Sequence, residues 1–153
     1  METTARGDVP KTLQTIAYIS IPNSADLDFL LWDLQDAIAA YARFSGTVLP
    51  HPVDLKADNA DGVADGIVLA IEDMADDETL TAIEQALERF GSTGTRVYAV
   101  IQAAQESTEQ ARGAAVRLHK ACERHDQLWC GGVAICAGSG IAALRHCLLY
   151  TSP

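Results

Sequence analysis

A chain of 153 residues suits one domain that buries about two-thirds of its unfolded surface, and 48% apolar with 21% charged residues excludes intrinsic disorder. The net charge of −10 is unevenly placed: residues 1–94 carry 17 acids against 5 bases, and residues 95–153 carry 4 against 6. Without a basic stripe to neutralise phosphates, neither nucleic acid nor an anionic membrane surface is an expected partner. No apolar run reaches membrane-spanning length, and Met1–Lys11 lacks the apolar centre of an export signal, so a cytoplasmic protein is expected. Cys122, Cys130, Cys136 and Cys147 form no C-x-x-C pair and no metal spacing with the histidines. Free cysteine prefers burial, so reduced, buried thiols are the expectation.

In chain order, residues 1–12 read as a flexible lead-in. Leu13–Ile21 predicts a strand stopped by Pro22, and the turn that follows offers Ser24 or Asp26 as helix N-cap. Leu27, Leu30, Leu31, Leu34, Ile38 and Tyr41 recur at helical spacing up to about Arg43, with Trp32 at the margin of that stripe. Gly46 ends the connection. Thr47–Leu49 predicts a short strand cut off by Pro50 and Pro52, which suits a sheet edge. Val53–Asp65 is polar and acidic, a loop or a weak helix. Gly66–Glu72 predicts a strand buried on both faces. The acidic loop Asp73–Glu78 leads into a helix whose apolar face is Leu80, Ile83, Leu87 and Phe90, with Gly91 as its C-cap.

The stretch from Thr95 to Ile141 is a βαβ unit. Thr95–Gln102 is β-branched and aromatic. Ser107 and Gln110 have capping-box spacing, and Ala111, Ala114, Ala115, Leu118 and Cys122 then line one helical face. Lys120 and Arg124 complement the dipole at its end. Leu128–Cys136 is apolar enough for a buried strand, closed by a turn at Gly138–Gly140. The alternation predicts a three-layer α/β domain over residues 13–146, built on a five-stranded parallel sheet in the order 2-1-3-4-5. Ile141–Arg145 reads as the start of an incomplete final helix, and residues 147–153 read as a non-native tail.

VYAVIQ (97–102), the Glu109-Gln110 helix entry and LWCGGVAICAGSG (128–140) resemble the second half of the flavodoxin-like NAD(P)H-dependent FMN reductases, over about 45 residues. The resemblance implies a flavodoxin-like fold, FMN as cofactor, NAD(P)H as co-substrate and pairing as a homodimer. It implies no protein nucleophile or base, because the flavin performs the hydride chemistry. Ligands of such sheets bind beyond the carboxyl ends of the strands. There Asn23 and Ser24 would meet the phosphate, Asp73 and Met74 would flank the ring, and Ala104 and Gln105 would approach its pyrimidine edge. The chain departs from the family in its glycine-free first loop, close to Asp26 and Asp28, and in an acidic rather than aromatic loop after the third strand. A degenerate module without cofactor, acting through binding or oligomerisation, is the alternative.

Three other patterns fare worse. Gly138-Ser139-Gly140-Ile141-Ala142-Ala143 matches G-x-G-x-x-A but follows the last strand and has no acidic residue about 20 positions on. The acidic rim suits a divalent cation in the manner of receiver domains, yet no Asp ends the first strand. No G-x-S-x-G elbow supports a hydrolase.

Overall fold

The computed structural model describes residues 14–22, 24–56, 62, 64–72, 77–102, 108–135 and 148–151. Parallel strands β1 (Thr15–Ile21), β2 (His51–Pro52), β3 (Gly66–Glu72), β4 (Arg96–Gln102) and β5 (Leu128–Ile135) form one sheet in the order β2-β1-β3-β4-β5. A short β6 (Leu148–Thr151), within the stretch read as a tail, pairs antiparallel with β5. Helices α1 (Ala25–Ser45), α2 (Asp77–Phe90) and α3 (Thr108–Arg124) supply the outer layers. The fold is α/β and flavodoxin-like, as the alternation predicts.

Alternation along the strands divides the core in two. Ala17, Ile19, Ile21, Ile67, Leu69, Ile71, Val97, Ala99 and Ile101 face α2 and α3, and Ile83, Leu87, Ala114 and Leu118 close over them. The opposite face, with Ile16, Val68, Ala70, Val100 and Ile135, is covered by Leu27, Leu30 and Leu31 of α1. Half-buried Tyr18 and Tyr98 flank Val68 in one row of that second face, and burial raises both phenols above their ordinary pKa.

Ser24 is the N-cap of α1: its hydroxyl oxygen accepts from the Leu27 N–H at 3.2 Å. Gly46 closes the helix in the left-handed region, at φ +73°. Two expectations for α1 are corrected, since both Tyr41 and Trp32 are exposed. Ala42, one residue beyond Tyr41, is buried, so that turn is still covered and Tyr41 is exposed by its position around the helix.

The edge strand lies at His51–Pro52 rather than Thr47–Leu49. The His51 N–H donates to the carbonyl of Gln14, just before β1, at 2.8 Å, and the Val53 N–H to that of Ile16 on β1 at 2.9 Å. Proline sits between them, at the position that donates nothing inward. Gly91 follows the last residue of α2, as expected of its C-cap, though not in the left-handed region. It continues the helical bonding to Leu87, and an added Cβ would collide with the Gln127 amide nitrogen and the Leu87 carbonyl, so room rather than φ demands glycine. The left-handed residue of that turn is Gly94, at φ +87°.

Thr95 ties this turn to the sheet. Its buried hydroxyl donates to the Ala64 carbonyl at 3.1 Å and accepts from the Ser92 N–H at 2.8 Å. Thr95→Val keeps the shape and orphans both partners. It is expected to cost about 1–2 kcal/mol in urea unfolding; an unmoved midpoint refutes the assignment.

Across the α2–α3 layer, Glu84 accepts from Arg124 Nε at 3.0 Å and lies 3.3 Å from His125 Nε2. The Arg124 hydrogen bond holds the Glu84 carboxyl below its ordinary pKa, against a smaller upward effect of burial. A depressed native pKa stabilises the fold above the unfolded value of about 4.3 and ceases to do so as pH falls through the native one. Glu84→Gln should therefore lower the melting temperature by about 1–3 °C near pH 7. The gap should close below about pH 4, and a gap constant down to about pH 3 refutes the linkage.

Candidate functional site

The carboxyl ends of β1, β3 and β4 meet the amino end of α1 at one mouth, on the α1 side of the sheet. Strand order reverses between β1 and β3, the topological switch point at which open parallel sheets take ligands. Four strand-end and helix-start features line the described part of this mouth. Ser20, one residue before the end of β1, donates its hydroxyl proton to Asp28 Oδ1 at 2.7 Å. Ser24 caps the helix, and its carbonyl accepts from the Asp28 N–H at 2.9 Å. Asp26 and Asp28 occupy the first turn. Glu72 and Gln102 form the last rung of the β3–β4 ladder.

Gln102 is the polar end of an otherwise buried strand. Its Oε1 is enclosed and has no hydrogen-bond partner among the described residues. An enclosed amide oxygen without a donor costs about 1–3 kcal/mol. With Asp26, Asp28 and Glu72 around the same rim, the described mouth is rich in acceptors. It is suited to hydrogen-bond donors and ill suited to anions.

Of the residues expected at the cofactor, Ser24 lies beside the switch point, and its side chain is engaged by the helix it caps. Asn23, Asp73, Met74, Ala104 and Gln105 lie outside the described residues, as do Ser107, the Gly138–Gly140 turn and the helix expected from Ile141. Sequence reasoning missed Ser20, Asp28 as its acceptor, and Gln102. The signal was present: a polar residue closing an apolar strand points at the carboxyl-end rim in this architecture.

Away from the mouth, β5 carries a bulge. Val97 pairs with Trp129 and Ala99 with Gly132, so Cys130 and Gly131 together oppose Tyr98. Trp129 stacks on His119 of α3 with ring centroids 6.5 Å apart. Cys122 is buried, which pushes its thiol up to about 12, so it stays protonated at neutral pH; Cys130 is half-buried. Among the described residues, no group of three or more His, Cys, Asp and Glu side chains is arranged to hold a metal ion. Among those residues, too, no helix is long and apolar enough to cross a membrane. No protein-family model matches this chain, and no curated protein is significantly similar to it.

Proposed function

We propose that the chain is a flavin (FMN)-dependent NAD(P)H oxidoreductase-type domain that works at the carboxyl-end mouth of its sheet, in the cytoplasm and on small molecules. The observation that supports this reading is the parallel order 2-1-3-4-5 with α1 opening directly at the β1/β3 switch point. It joins the resemblance over Val97–Gly140. When bound, the flavin would supply hydride acceptance from NAD(P)H.

The described first turn does not fit the phosphate of that cofactor. A phosphate cradle needs free N–H and hydroxyl donors at a helix N-terminus. Here the Ser24 hydroxyl oxygen is taken by Leu27, the Ser20 hydroxyl is given to Asp28, and Asp26 and Asp28 add negative charge. This same Ser20–Asp28 pair favours a second reading, a flavodoxin-like module that has lost FMN and acts by binding or oligomerising.

Titration with FMN separates the two. Oxidoreductase-type activity predicts a yellow protein, or quenching of flavin fluorescence at micromolar concentration. Asp26→Asn and Asp28→Asn should then each tighten binding about two- to fivefold, by removing a carboxylate from the helix N-terminus. Colourless protein that ignores millimolar FMN at low salt leaves the cofactor-free module.

A further inference from the structure

The outer surface of α1 carries a pattern that the core does not use. Phe29, Asp33, Ala37 and Tyr41 follow one another at i, i+4 intervals and form one ridge. Trp32, Asp36, Ala40 and Phe44 form the adjacent ridge. Every one of these residues is exposed, including Trp32 at 66%, Tyr41 at 68% and Phe44 at 93%, with Phe29 at 39%. Each ridge therefore reads aromatic, aspartate, alanine, aromatic along the helix.

Reversed end to end, this patch complements itself. The Phe29–Trp32 pair meets a Tyr41–Phe44 pair, and the two aspartates meet two alanines rather than each other. Small residues at the middle let the backbones approach. Arg43, the one cation of α1, comes alongside an aspartate from the other copy, and the helix dipoles run antiparallel. Self-complementarity under reversal is what an isologous two-fold contact requires, and an unrelated partner would have no need of it.

We infer that α1 pairs antiparallel with α1 of a second copy of this chain, through these two ridges. At about 200 Å² per aromatic side chain, the four present roughly 500 Å² of exposed surface. That is the larger part of the about 800 Å² per partner that a stable interface buries. The pair sets Phe29 against Tyr41 of the second copy and Trp32 against its Phe44.

Sedimentation of the full chain at about 5–100 µM and about 150 mM salt, where charges beyond roughly 8 Å are screened, tests the inference. The expected result is a dimer. Trp32→Glu with Phe44→Glu should weaken it roughly thirtyfold or more, with an unchanged circular dichroism spectrum because both sites are exposed. Asp33→Arg and Arg43→Glu should each weaken it, and the two together should restore it to within about threefold of the parent. A monomer at the highest concentration overturns the inference. So does a dimer indifferent to the aromatic variant, or a charge exchange that fails to restore pairing.

Discussion

Leu69→Ala should lower the stability of the domain by about 2–5 kcal/mol, the largest loss expected from any single truncation in the sheet. Leu69 is fully buried at the middle of β3, with β1 on one side and β4 on the other. Its register neighbours are Ile19 and Ala99, and the row continues to Gly132. Side-chain volume thus tapers across the sheet, and Leu69 is the last large group before the small ones. A neighbour can fill a vacated space only if it has atoms to offer, and Ala99 has none to spare. The cavity should stay largely open, which places the cost toward the upper end of the range. Equilibrium urea unfolding with an unchanged slope reads it; a loss under about 1 kcal/mol would show that α2 and α3 settle onto the sheet, and that the taper does not fix their position.

The sequence reveals what depends on periods and stops where a period meets an edge. Gly66–Glu72 was legible to the residue, because a strand buried on both faces has no polar position to blur it. The α2 face of Ile83, Leu87 and Phe90, and the α3 face of Ala111, Ala114, Leu118 and Cys122, were equally plain, each helix lying on the sheet along its length. In α1 the same rule reads Tyr41 as core. In that turn the buried residue is Ala42, one step round the helix from Tyr41. Proline as a stop places the edge strand at Thr47–Leu49, whereas in the structure Pro52 occupies the outward-facing step of a two-residue ladder. Gly91 closes α2 where the pattern predicts, but the reason for glycine there is steric and rests on Gln127, distant in sequence. At the mouth, rim position follows from topology, and Ser24 lies there as the cap of α1. The Ser20–Asp28 bond and the enclosed Gln102 oxygen depend on side-chain direction at strand ends, which no period encodes.

Gly132→Val should cost about 1–3 kcal/mol although the position is only half-buried, more than a surface strand site would lose. The reason begins with the bulge. Between Val97 and Ala99 on β4 the chain takes two steps, and between Trp129 and Gly132 on β5 it takes three. The extra residue re-phases β5, so that Val133 and Ile135 face α1 and Ala134 faces α3. Gly131 absorbs the distortion at φ +100°, where a side chain would be strained. Gly132 then passes so near β4 that an added Cβ would lie 2.8 Å from the Ala99 carbonyl oxygen. That oxygen belongs to the backbone of an interior strand and cannot rotate away. Valine, ordinarily favoured in strands, must therefore push β5 off β4 or undo the bulge, and undoing it would turn the apolar residues after it to the wrong faces. Loss of stability with a Trp129 fluorescence shift, reporting separation from His119, is the expected outcome. A valine variant as stable as the parent would mean that β5 pairs without the extra residue.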